Sequence, residues 1–240
     1  MIKQRSQLQL GASMYVPATQ DIDRLVAIAN SEKFPQLRSV IFCTEDAVRG
    51  EELHTALRNL KHALPKFKEN NRLLRFIRVR NPDVMARCIA TPGIENIDGF
   101  VMPKITRSNI GTYLSLLTDK DDFSLMPTIE TREVFESAEM LKLRRVLLND
   151  SRVVGRILCL RIGGNDLMSC LGVRRSFEHT IYETALGPLI ARLSGEFLPY
   201  GIGLSAPVCE ITCPQARPVL ERELELDLLH GLFGKTAIHP

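Results

Sequence analysis

The sequence predicts a closed (β/α)₈ barrel, and three observations point to it. Eight short apolar runs recur along the 240 residues, segments with apolar residues at three- and four-residue intervals lie between them, and no glycine-rich nucleotide-binding turn follows the first run. Alternating strand and helix favours a parallel sheet covered by helices, and eight repeats are the number that closes such a sheet. A doubly wound open sheet is the main competitor. Neither a G-x-G-x-x-G turn after the first strand nor a G-x-x-x-x-G-K-[ST] loop is present to support it.

The elements follow in order. The run 13–18 (SMYVPA) leads to the amphipathic stretch 21–33, and 39–46 (SVIFCTED) leads to 51–67. The runs 73–80 (LLRFIRVR) and 99–104 (GFVMPK) come next, then 124–130 (SLMPTIE) with the amphipathic stretch 131–147. The run 155–164 (GRILCLRIGG) precedes the helical stretch 180–197, and 201–208 (GIGLSAPV) and 234–240 (GKTAIHP) complete the eight. No low-complexity segment or Pro/Gly/Ser linker divides them, so one domain over 1–240 is expected. The eighth run ends at Pro240 without the helix that should cover it, so a last helix or C-terminal lid is expected to be absent from this chain, or supplied by a neighbouring subunit.

Composition narrows the function classes. Lys and Arg total 31 against 28 Asp and Glu, and the basic residues are scattered, which argues against a nucleic-acid or membrane surface. No apolar run has the length of a membrane span and no secretion signal is evident, so a cytoplasmic protein is expected. The six cysteines are spread over a chain large enough to need no disulfides; Cys209 and Cys213 are the one close pair, and they lack partners for a zinc site. The five histidines show no metal spacing and none is placed in catalysis.

In a barrel of this kind the chemistry sits at the C-terminal ends of the strands. Those ends carry Glu45 and Asp46, Arg78 and Arg80, Lys104, Glu130, and Gly163-Gly164-Asn165-Asp166. Arg78 and Arg80, two apart in a strand, should share a face and hold a carboxylate. Glu130 and Asp166 could bind a hard cation through oxygen, with water and substrate completing the octahedron that Mg²⁺ prefers. The plainer alternatives are that Glu130 caps the next helix, that Asp166 pairs with Arg161 or caps its own helix, and that Glu45 and Asp46 favour a helix dipole.

At these same strand ends the sequence resembles the superfamily of the citrate lyase beta subunit, the malyl- and citramalyl-CoA lyases and the HpcH/HpaI aldolases, all TIM barrels. The stretch Val40 to Val48 resembles the family's apolar run into D-L-E-D-A-V, and Arg78-Val79-Arg80 resembles its R-[VI]-N. Asp98 to Lys104 matches D-G-hydrophobic-hydrophobic-L-P-K, and Ile129-Glu130-Thr131 matches I-E-T. Gly163 to Leu167 followed by Leu171-Gly172 resembles G-x-x-D-L and L-G, and Gly234 to Pro240 reproduces G-K-x-x-I-H-P. The chain looks like a divergent branch, such as the citrate-lyase-like proteins of stress and tellurite-resistance gene clusters.

The resemblance implies a Mg²⁺-dependent carbon–carbon lyase or aldolase acting on a small oxo- or hydroxy-acid or its CoA thioester. It assigns Glu130 and Asp166 as metal ligands and Arg78 to the oxo-acid, while the strand ends add Glu45 and Asp46 as candidates for catalysis and Arg80, Lys104, Gly164 and Asn165 as candidates around the substrate. It also implies a homo-oligomer, a trimer or a multiple of one. Two positions depart from the pattern: Cys43 stands where the family has its first aspartate, and Arg80 replaces the asparagine. Two other functions stay open, a non-catalytic barrel serving as a binding partner in a complex, and phosphoryl chemistry on a pyruvate-like enol.

Overall fold

Among the described residues seven parallel strands follow one another around the sheet in sequence order. A computed structural model describes residues 5–69 and 72–239. The strands are β1 (Ser13–Pro17), β2 (Ser39–Cys43), β3 (Leu74–Arg78), β4 (Gly99–Met102), β5 (Ser124–Ile129), β6 (Leu160–Ile162) and β7 (Leu204–Ser205). Helices α1 (Ile22–Ala29), α2 (Leu53–Ala63), α3 (Pro82–Ile89), α4 (Ile110–Leu114), α5 (Ser137–Asn149), α6 (Gly164–Leu171), α7 (Gly187–Phe197) and α8 (Arg217–Leu229) lie between and after them. Among the described residues no helix is long and apolar enough to cross a membrane.

The described residues of the eighth run form no regular strand, which corrects the expectation of eight. It closes the ring through two isolated parallel bridges, Lys235 to Ala206 and Ala237 to Met14. Its hydrogen bonds reach both edges: Ala206 N donates to the Gly234 carbonyl, and Tyr15 N to the Ala237 carbonyl, each at 2.9 Å. Gly234, at φ 140°, kinks the segment on entry, so it has too few residues in register for a ladder. β7 is shortened for a similar reason: Gly201 is left-handed and Gly203 lies against the Gln7 side chain, where a Cβ would clash.

Period-two alternation produces two separate cores. Outward residues such as Val40, Phe42, Ile77, Phe100, Leu125 and Ile129 pack under the helices. Inward residues Ile41, Phe76, Val101 and Met126 join Leu10, Leu158 and Cys159 as an apolar plug inside the barrel. Each such fully buried aliphatic or aromatic side chain contributes about 2 kcal/mol. The N-terminal turn Gln7–Leu10 lies over the plug, held by a capping box of Ser6 with Gln9, and Arg5 anchors it to Asp98 at 3.0 Å. The Asp98-Gly99 pair has a structural cause as well: a Cβ at Gly99 would stand 1.8 Å from the Ser124 carbonyl oxygen.

Candidate active site

Above the apolar plug the inward positions turn polar. Cys43 follows Ile41 on β2, Arg78 follows Phe76 on β3, and Thr128 follows Met126 on β5, each two residues on, with Glu130 two further and just past the end of β5. With Tyr15, Arg161 and Asp166 they line a cavity of about 350 Å³ at the C-terminal ends of the strands. Asp46, Gly164 and Asn165 line it too.

Arg78 is the centre of the charge network. Its Nη2 lies 2.8 Å from Glu45 Oε2, 2.9 Å from Asp46 Oδ2 and 3.3 Å from Glu130 Oε1. Lys104 Nζ joins from the other side, 3.6 Å from Glu45 and 3.8 Å from Asp166. Four carboxylates therefore face Arg78 and Lys104, and with Arg161 as a third cation in the cavity a small excess of acidic groups remains. Burial pushes the Glu45 carboxyl up to about 7, against the pull of Arg78, which gives it a proton affinity suited to acid–base work near neutral pH. Burial also raises Glu130, opposed by Arg78 and by the Lys104 backbone N–H. The Cys43 thiol is pushed up by burial, so it is a neutral group where a carboxylate would carry charge.

Two backbone features set Glu130 in place. Lys104 sits at φ 52°, a left-handed conformation costly for a lysine, and this turns its N–H onto Glu130 Oε1 at 2.9 Å. On the other side the Glu130 carboxylate lies against Gly163: a Cβ there would stand 2.2 Å from Oε2. The next residues open α6, which places Asp166 in its first turn, facing Glu130 from the neighbouring strand end. Glu130 caps no helix, and the cation beside Asp166 is Lys104 rather than Arg161.

The structure brings together Glu45, Asp46, Arg78, Lys104, Glu130, Gly164, Asn165 and Asp166, but it uses Arg80 differently from the substrate contact expected of it. Arg80 donates to the carbonyls of Thr44 (3.3 Å), Glu45 (3.2 Å) and Val48, bracing the loop that carries Glu45 and Asp46. The β3 ladder ends at Arg78, so beyond it the loop and not the pleat decides where a side chain points. Two polar cavity residues escaped the strand-end reading, Tyr15 and Arg161, and Thr128 stood at the end of the fifth run without a role; all three lie one or more residues below the strand ends. Counting back by two from Glu130 finds Thr128, and back by two from Gly163 finds Arg161.

A family model described as C-C bond lyase of the TIM-barrel fold matches residues 4–240. No curated protein sequence matches. Among solved structures, RipC from Yersinia pestis is similar at 17% identity, with 98% of this chain and 92% of that chain covered and a TM-score of 0.70. A magnesium/glyoxylate complex of Haloferax volcanii malate synthase is similar at 14% identity, covering 95% and 72%, with a TM-score of 0.76. CitE from Mycobacterium tuberculosis, in complex with magnesium and acetoacetate, is similar at 16% identity, covering 97% and 87%, with a TM-score of 0.67. At these identities the structures show a shared fold, while the family model spans almost the whole chain. With its ring of parallel strands and its cavity at their C-terminal ends, the chain belongs to the C-C bond lyase family of the TIM-barrel fold.

Proposed function

We propose that the chain is a Mg²⁺-dependent carbon–carbon lyase or aldolase for a small oxo- or hydroxy-carboxylic acid, taken free or as its CoA thioester. The observation that carries this reading is the meeting of Glu130 and Asp166, from adjacent strand ends, in one cavity where Arg78 Nη2 lies 3.3 Å from Glu130. The donor set is all oxygen, as a hard cation requires, although among the described residues no three His, Cys, Asp or Glu side chains come together as a ready cage. Two carboxylates leave the remaining positions of an octahedral Mg²⁺ to water and substrate.

When bound, the metal supplies a Lewis acid beside the substrate's oxo group, where negative charge develops as the carbon–carbon bond breaks. Arg78 orients the oxo-acid and offers an unpartnered Nε–H. The N–H groups that open α6 at Gly164 and Asn165 suit a carboxylate, through their free donors and the helix dipole. Glu45, raised to about 7, is the group placed to move a proton, while Asp46 and Lys104 hold it in position. CoA use draws support from a CitE structure described with magnesium, acetoacetate and coenzyme A, similar at 17% identity. The cavity itself has the size for the acid portion. Single-domain organisation over 1–240 and a trimer or a multiple of one remain part of this proposal.

Calorimetric titration with Mg²⁺, with and without pyruvate, oxaloacetate or glyoxylate, tests the reading. Binding that one oxo-acid tightens, and that Asp166→Asn abolishes, supports it. No Mg²⁺ binding by a folded sample favours the binding-partner barrel instead, a reading for which neutral Cys43 at an aspartate position speaks. Gly163→Ala gives an independent check: by displacing the Glu130 carboxylate it should weaken Mg²⁺ binding about tenfold or more, as loss of a supporting contact does in metal sites generally.

A further inference from the structure

The floor of the cavity holds a cation that the proposed reaction has not used. Arg161, on β6, is 4% exposed and lines the cavity. Its Nη2 donates to Thr236 Oγ1 at 2.6 Å, and its Nη1 finds only the Met126 sulfur at 4.0 Å. The guanidinium lies 5.4 Å from the centre of the Tyr15 ring. Among the described residues no carboxylate lies within ion-pairing distance of it. The other deeply buried arginines meet stronger acceptors: Arg78 and Arg175 pair with carboxylates while keeping an unpartnered Nε, Arg75 donates to three carbonyls and Arg156 to two. A guanidinium withdrawn from water and left without an anion is costly, so its retention here points to a ligand.

A second observation lies beside it. Thr128 on β5 is the register partner of Arg161, so the two side chains stand next to each other on the inward face. Thr128 is 3% exposed, lines the same cavity, and its hydroxyl has no hydrogen-bond partner. A guanidinium that meets no carboxylate and a hydroxyl without a partner thus line the same cavity. They match the two oxygens of a carboxylate better than the three of a phosphate. Arg78 lies 5.7 Å from the same Tyr15 ring, so the ring neighbours both a cation engaged by carboxylates and one that meets none.

We infer that Arg161 and Thr128 form a second anion seat, and that the substrate is a short dicarboxylic oxo- or hydroxy-acid whose second carboxylate occupies it. Thr236, itself donating to Ser13 Oγ at 3.4 Å, is a positioning residue that fixes the Arg161 fork. The inference rests on the oxo-acid reading of the cavity and deepens it. It also moves the second substrate cation from Arg80, which braces a loop, to Arg161.

The test is calorimetric, on the full chain with Mg²⁺, comparing pyruvate and glyoxylate with oxaloacetate and malate. The wild type should bind a dicarboxylate at least tenfold more tightly than a monocarboxylate. Arg161→Gln and the near-isosteric Thr128→Val should each collapse that ratio toward one. Should Arg161→Gln fail to fold, the Thr128→Val ratio decides. A wild type that binds monocarboxylic oxo-acids without preferring dicarboxylates overturns this inference and leaves the lyase reading standing, as does a ratio unmoved in Thr128→Val and in folded Arg161→Gln. Preference for phosphoenolpyruvate over every dicarboxylate overturns the carboxylate assignment. Binding of no oxo-acid at all overturns both.

Discussion

Glu130→Gln is expected to lower metal-dependent kcat/KM at least a thousandfold, on the oxo-acid that calorimetry identifies, while the chain stays folded. The substitution keeps the shape of the side chain, and its amide oxygen can still accept the Lys104 N–H that Glu130 Oε1 accepts at 2.9 Å. What it removes is the anionic charge between Arg78 and Asp166. A loss of about 4 kcal/mol in the transition state corresponds to that factor, a size ordinary for removal of a group that acts on developing charge. Since Arg78 keeps Glu45 and Asp46 as partners, stability should change far less than rate. Turnover and urea denaturation measured on one preparation check the pair of outcomes. Near-wild-type turnover would remove Glu130 from the metal site.

Glu223→Gln should act in the opposite way, costing about 3–5 kcal/mol of stability through a group outside the cavity. Glu223 is 0% exposed and receives Arg175 and Lys235, whose side chains are only 4% and 5% exposed. It also accepts the Ile181 N–H at 2.9 Å. Through these contacts it ties α8 to the 175–181 loop and to the segment that closes the barrel. Removing its charge leaves two buried cations with Asp227 alone, 3.3 Å from Lys235. Urea denaturation checks the magnitude, and the double substitution with Lys235→Met should cost less than the sum of the single changes. Asp227 adds a pH signature. Burial raises it to about 6 from 3.8, so its protonated form favours the fold, and that contribution is lost as pH rises through about 6. Asp227→Asn is expected to flatten that part of the stability–pH curve.

By itself the sequence determined the order of the elements and which charged residues stand at the strand ends. Strand period and helix period differ, so the alternation could be read without contacts, and Arg78, Lys104, Glu130 and Asp166 could be found because strand ends are local features. The glycines at 99 and 163 were legible as motif letters; only packing shows that one admits the Ser124 carbonyl and the other the Glu130 carboxylate. The eighth strand misled because its apolar pattern is strand-like while its pairing is limited to two bridges, and pairing is a property of two neighbours, not of one run. Arg80 misled because the β3 ladder stops two residues earlier, which no count along the chain can reveal. Tertiary structure alone decided which buried charges are satisfied. Whether Arg161 meets a carboxylate depends on residues 75 and 146 positions away, at Thr236 and Tyr15, that the ring closure brings beside it.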